Sequence, residues 1–256
     1  MEPKELDQTS AEMALSTMIG LLLSAVVGAF LAILVLPAWL PALAGSLQGP
    51  APKAYWYLAR ASGLVAYVLL WLSIVLGLMI TGRIARLWPG GPVAFNLHQH
   101  TALLSLSLSL FHALILLGDR YISFTPARIF IPFASVDYRP FWVGWGQLGL
   151  YLLALVTLSF YVRRRIGHAT WRRIHYLSFV VFLMVTVHGL MSGTDTARAG
   201  VRVMYQTAGW SVLGLGIYRA LAVWVFPAFR KWTSALFGKG SAFSNERPRP
   251  LQGRSP

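Results

Sequence analysis

Apolar stretches of membrane-crossing length recur six times along the chain, at residues 13–43, 55–81, 95–117, 142–162, 171–191 and 201–226. A hydrocarbon core about 30 Å thick is crossed by roughly 20 helical residues. Inside it each backbone N–H and C=O must be satisfied within its own segment, which leaves the α-helix as the solution for isolated runs of this length. The expected fold class is therefore all-α, a polytopic membrane protein built as a six-transmembrane-helix bundle. Composition agrees: 56% of residues are hydrophobic and 12% charged, far from the mix of a soluble domain. Pro37 and Pro41 are expected to bend or end the first span. The alternating LSLSLSLF run that ends at Phe111 has the period of a strand, but inside an unbroken apolar span it must be helix, with small serines that permit close packing.

The spans divide the chain into a polar tail (1–12), a membrane domain (13–228) and a basic Gly/Ser/Pro-rich tail (229–256) expected to be disordered. Residues 1–12 are net acidic, unlike the basic start of a cleaved signal, so the first span is expected to be retained. The net charge of +14 would suit nucleic acid, but the basic residues gather at span ends, and the positive-inside rule accounts for them without a nucleic-acid partner. Arg83, Arg86, Arg163, Arg164, Arg165, Arg172, Arg173 and the tail cations outnumber Lys53, Arg120, Arg128, Arg139, Arg198 and Arg202 on the opposite side. Both termini are thus expected in the cytoplasm of a cell (plasma or inner) membrane, with the aromatic-rich loop of residues 118–141 facing outward.

Within this apolar frame, histidine carries the chemistry. The chain has no cysteine, which excludes disulfides, iron–sulfur clusters and thiolate-ligated haem. His98 and His112 lie 14 residues apart on the third span; His175 and His188 lie 13 apart on the fifth. Ionisable residues in hydrocarbon are costly and mark functional sites. At about 1.5 Å per residue the two rings on each span are separated by roughly 20 Å, one near each face of the membrane. The third and fifth spans run in the same direction, so the levels match. His98 with His175 would clamp an inner haem, and His112 with His188 an outer one. Fourteen residues return to within about 40° of one helix face, whereas thirteen leave roughly 140°, so His175 and His188 need tilt, local unwinding or different approach angles. His100 competes with His98 for the inner site; His98 is preferred because the 14-residue spacing keeps one face. His168, in the polar RRRIGHATWRR stretch, reads as a solvated surface residue.

Supporting groups are less specific. Arg60, just inside the outer end of the second span, is a candidate partner for an outer-haem propionate; a snorkelling interface arginine is the competing account. Arg83, Arg172 and Arg173 are candidates on the inner side, although topology alone would put arginines there. Phe179 and Phe182 lie between the two histidine levels. Residues 144–149 (GWGQLG) fit the G-x-G-x-x-G dinucleotide pattern, but that motif needs a strand before it in a soluble βαβ unit; here it opens a membrane span and is rejected.

Three stretches, LHQHTALLSLSLSLFHAL (97–114), PFASVDYRPFWVGWGQLGLYL (132–152) and WRRIHYLSFVVFLMVTVHGLMSGTD (171–195), give the chain a resemblance to the ferric reductase-like transmembrane family. The resemblance covers about residues 55–225 and implies a six-helix core with two b-type haems between helices three and five, held by the same four histidines. It further implies single-electron transfer across the membrane. Full-length reductases of this family add FAD and NAD(P)H domains. No such domain follows the sixth span here, so FAD and NAD(P)H are not expected to bind this chain, and a separate flavoprotein, ferredoxin-like protein or membrane quinol is the expected donor. Ferric iron, oxygen or a periplasmic protein is the expected outer acceptor. A sister group, the haem-binding membrane subunit of bacterial methionine-sulfoxide reductase, is the alternative, although the RRxLGL stretch associated with its third helix is absent. A histidine-lined proton or metal transporter is the reading of another class; it calls for carboxylates beside the histidines, and the spans hold almost none.

Overall fold

The structure, a computed structural model, describes residues 14–40, 45–47, 53–120 and 122–222. The regular structure among these residues is entirely helical. Six long helices, α1 (Leu15–Leu34), α2 (Ala54–Thr81), α3 (Gly91–Ile115), α4 (Pro140–Ser159), α5 (His168–Ser192) and α6 (Ala199–Ala220), fall on the six apolar stretches of the sequence. The first five are long and apolar enough to cross a membrane, which makes the chain a multi-pass membrane protein. The described part of α6 is long enough but too polar by composition, carrying Arg202, Gln206 and Arg219. Residues 223–226, the apolar end of that expected span, lie outside the described residues, as do the two tails at 1–12 and 229–256.

The helix boundaries follow local chemistry. α1 stops at Leu34, and the chain turns at Val35 into a short helix, Leu36–Trp39, with Pro37 in its first turn. A proline there loses nothing, because the first N–H groups of a helix have no internal acceptor. α3 and α4 likewise carry a proline in the first turn, Pro92 and Pro140. Gly167, at φ +81°, supplies the left-handed turn between the short helix Arg163–Ile166 and α5. The LSLSLSLF run is helical throughout, as expected, and Ser105 is fully buried with its hydroxyl donating to the carbonyl of Ala66 on α2 at 2.9 Å.

The helices alternate in direction, so each end of the bundle has a distinct set of groups. At one end Arg60 at the start of α2 meets Asp195 beyond α5, and Tyr138 before α4 bonds the carbonyl of Ser192. At the other, Gly82 after α2 lies against Tyr218 of α6, and Phe160 lies beside Trp171. These are termed the loop end and the arginine end. α2 packs along α3, and α5 along α4, more extensively than any other pairs. α3 and α5 do not pack closely on one another; they face each other across internal space. Between the ends sits a buried layer of Tyr67, Leu70, Leu106, Leu153, Val181, Phe182 and Tyr205. Large apolar side chains such as Leu23, Leu31, Val65 and Leu183 point outward, as lipid-facing positions require.

Candidate functional site

The four expected histidines meet in two pairs. The rings of His98 and His175 lie 6.0 Å apart, centre to centre, at 77° to one another. Those of His112 and His188 lie 6.4 Å apart at 76°. The pairs occupy opposite ends of the space between α3 and α5. α5 is an unbroken helix from His168 to Ser192, so the 13-residue step is not absorbed by unwinding. The two rings approach differently: His188 reaches over to α4, whereas His175 stacks on Trp171 of its own helix, 5.3 Å between centres and 29° between planes.

Three of the four rings are fixed by backbone carbonyls of neighbouring helices. Nδ1 of His98 lies 2.8 Å from the carbonyl of Ser73, that of His112 lies 2.6 Å from Ala59, and that of His188 lies 2.8 Å from Trp142. A carbonyl oxygen only accepts, so in each ring the proton sits on Nδ1 and Nε2 keeps its lone pair. This is the tautomer of a metal-ligating histidine whose other nitrogen is held by an outer partner. His100 differs: it is exposed, its Nδ1 bonds the Asn96 carbonyl of its own helix at 2.7 Å, and it borders neither of the two cavities beside the pairs. His168 is exposed, as expected, and stands on the rim of the arginine-end cavity, 5.3 Å from the Trp171 ring.

Each pair borders a cavity. The one at the arginine end, about 420 Å³, is lined by His98, His175, Phe95, Phe160, Trp171 and Thr157, with Arg172 and Arg219 at its polar side. Trp171 Nε1 is buried there without a hydrogen-bond partner, the kind of orphan donor that an anionic ligand group would satisfy. Arg172 was expected near this site; Arg83 and Arg173 do not line it, and Arg219 on α6, which the sequence reading missed, does. The loop-end cavity, about 200 Å³, is bordered by His112, His188, Arg60, Tyr138, Gln147 and Asp195. Between the two levels Phe182 is buried and stacks on Tyr67 with 5.9 Å between centres, while Phe179 is 41% exposed and borders the arginine-end cavity. Tyr67 also contacts the Tyr205 ring at 4.7 Å and the Thr186 hydroxyl at 3.1 Å.

Arg60 reaches the loop-end cavity, but its guanidinium is already engaged by Asp195 through two contacts, of which Nε to Oδ2 is 2.6 Å. Arg198 approaches the same carboxylate at 3.0 Å. The hydrogen bond from Arg60, reinforced by both positive charges, holds the Asp195 carboxyl below its usual 3.8. A carboxylate held low contributes stability that is complete above its unfolded value and lost as pH falls through the lowered one. Asp195→Asn is therefore expected to cost stability at neutral pH and to flatten the acid limb of a melting-temperature-against-pH profile below about pH 4; an acid limb identical to that of the wild type would refute this.

The loop residues 122–139 fold back over this end. Gln147, buried on α4, donates to the carbonyls of Arg128 and Ile129 at 2.7 and 2.8 Å and accepts from the N–H of Phe133 at 3.1 Å. Arg128 pairs with Asp137, and Arg139 bonds the carbonyl of Met191. The rejected G-x-G-x-x-G run thus lies within α4, where Gly144 packs on Phe133 and Gly149 on Val185.

No family model, curated protein or solved structure matches this chain. Among the described residues no group of three or more His, Cys, Asp or Glu side chains gathers to enclose a metal ion. Paired imidazoles alone supply two ligands. Metal–imidazole bonds of about 2 Å on either side of one metal atom place two ring centres on the order of 6 Å apart, which both pairs satisfy. Two imidazoles at each site would therefore suit a metal that brings its remaining ligands with it.

Proposed function

We propose that this chain is a membrane b-type cytochrome of the ferric reductase-like kind, carrying electrons across the membrane through two bis-histidine haems. His98 and His175 would hold the inner haem, His112 and His188 the outer. The observation that carries this reading is the pairing of four histidines at two levels, with three of the rings committed through Nδ1 to a carbonyl and so presenting Nε2 as a ligand. Haem, when bound, supplies reversible one-electron chemistry at its iron. The protein's own part is to orient the imidazoles, to offer Trp171 Nε1, Arg172 and Arg219 to the carboxylates of the inner haem, and to exclude water with the apolar walls of α2 to α5. At the outer site Arg60 and Tyr138 border the same space.

The donor is proposed to be a separate flavoprotein, ferredoxin-like protein or quinol at the arginine end, which the positive-inside rule assigns to the cytoplasm. The acceptor, whether ferric iron, oxygen or a periplasmic oxidoreductase, would meet the loop end. Against a proton or metal transporter, the described carboxylates Asp119, Asp137 and Asp195 all lie outside the long helices, at the loop end. The test is direct. Protein made under haem-replete conditions and purified in detergent is expected to hold about two haems per chain, one for each ring pair, with a low-spin bis-imidazole spectrum in both oxidation states. Colourless, correctly folded protein would overturn the reading.

A further inference from the structure

Three of the histidines rest on the same two-part seat. The His112 Nδ1 proton goes to the carbonyl of Ala59, and a Cβ built on Gly63, four residues further along α2, would stand 2.9 Å from that nitrogen. His98 bonds Ser73, and a Cβ on Gly77, again four residues on, would meet its Cε1 at 3.3 Å. His188 bonds Trp142 on α4, and a Cβ on Gly146, once more four residues on, would come within 2.6 Å of its Nδ1. Cβ atoms essentially never approach within 3.0 Å. The repeat has a physical cause. A helical carbonyl points along the axis toward the residue four positions later, to whose N–H it is bonded. Its second lone pair is free to accept, but the side chain of that later residue stands over it. Removing that side chain opens the carbonyl to an incoming ring. Gly63 and Gly77 are 14 residues apart, as are His98 and His112, because α2 and α3 run antiparallel past one another.

Resting on the proposed haem reading, we infer that Gly63, Gly77 and Gly146 are positioning residues: each unscreens the one carbonyl that sets its histidine's tautomer and the direction of its Nε2. Gly63 and Gly146 also border the loop-end cavity and Gly77 the arginine-end one; the inferred effect is the one exerted through the ring. His175 has no such seat and takes its orientation from Trp171. Gly63 and Gly146 serve the His112/His188 site, Gly77 the His98/His175 site, so the effects of substitution should segregate by site.

The experiment uses the full chain in detergent, with haem stoichiometry, low-spin electron paramagnetic resonance signals and redox titration as readouts. Gly63→Ala and Gly146→Ala are expected to weaken haem binding at the His112/His188 site by about 10- to 100-fold, the range for loss of an outer partner of a ligand, and to leave the second haem's signal and potential unchanged. That retained haem reports that the variant has folded. Gly77→Ala, where the contact is looser, is expected to keep both haems and shift only the signal and potential of the His98/His175 site; it remains informative if the tighter variants fail to fold. Gly20→Ala on α1, where a Cβ meets nothing within 4 Å, is the control and should match the wild type. A two-haem wild type whose Gly63, Gly77 and Gly146 variants keep both signals and potentials overturns this inference alone, as does a Gly77 variant that perturbs the other site. A wild type without haem overturns the parent reading and this inference with it.

Discussion

His112→Ala is expected to yield folded protein with about one haem per chain instead of about two, the survivor being the one between His98 and His175. His112 is the only histidine that α3 offers at the loop end, because His98 and His100 both lie near the start of the helix, toward the arginine end. Truncation leaves His188 facing empty space, and nothing else at that level carries an imidazole. The retained haem separates site loss from misfolding. His98→Ala should give the complementary loss, whereas His100→Ala should keep both haems. The measurement is haem per chain with the reduced-minus-oxidised spectrum. Two haems in His112→Ala, or the loss of one in His100→Ala, would sink the ligand assignment.

Gln147→Leu has the largest effect expected outside the histidines. Its side-chain amide is buried and spends both ends on the loop, donating to two carbonyls and accepting one N–H. Leucine fills a similar volume but leaves Phe133 N–H and the carbonyls of Arg128 and Ile129 without partners. Buried groups left unpaired cost about 1–3 kcal/mol each. Allowing for water reaching the exposed side of the loop, the total is about 2–4 kcal/mol. The melting temperature should fall, and limited proteolysis should cut within residues 119–139 under conditions in which the wild type resists. Unchanged melting and unchanged proteolysis would show that the loop is held by its own contacts.

How much of this was legible in the sequence follows from the range of the interactions involved. Helix positions were legible because apolar length and the flanking prolines and glycines are local: α2 runs from Ala54 to Thr81 where the apolar run predicts 55–81. Pro37 marks the break after α1 for the same reason. The histidine levels were legible because helical rise converts sequence spacing into depth. What was not legible needed contacts between distant parts of the chain. Arg60 was read as a candidate partner for a propionate, and its ion pair with Asp195, 135 residues away, could not be seen locally. Gln147 sat inside a glycine motif rejected for want of a preceding strand, and the role of the amide emerges only once the loop folds over it. Arg219 sits at the end of the most polar helix, where a snorkelling cation is ordinary, so nothing local marked it. The repeat of Gly63 and Gly77 at the histidine spacing was visible in the sequence, but its meaning required knowing that α2 lies antiparallel beside α3.

The distribution of packing also bears on how the molecule is made. Its two tightest associations are within hairpins, α2 with α3 and α4 with α5, and the facing surfaces of α3 and α5 are left apart. Each anchored ring is anchored inside its own hairpin: His98 and His112 on α2, His188 on α4. The α2–α3 half can therefore leave the insertion machinery with His98 and His112 already aimed, before α4 and α5 have been synthesised. Assembly becomes the closing of two prepared jaws on whatever lies between them, with the arrival of the α4–α5 hairpin setting the moment at which the grip is complete.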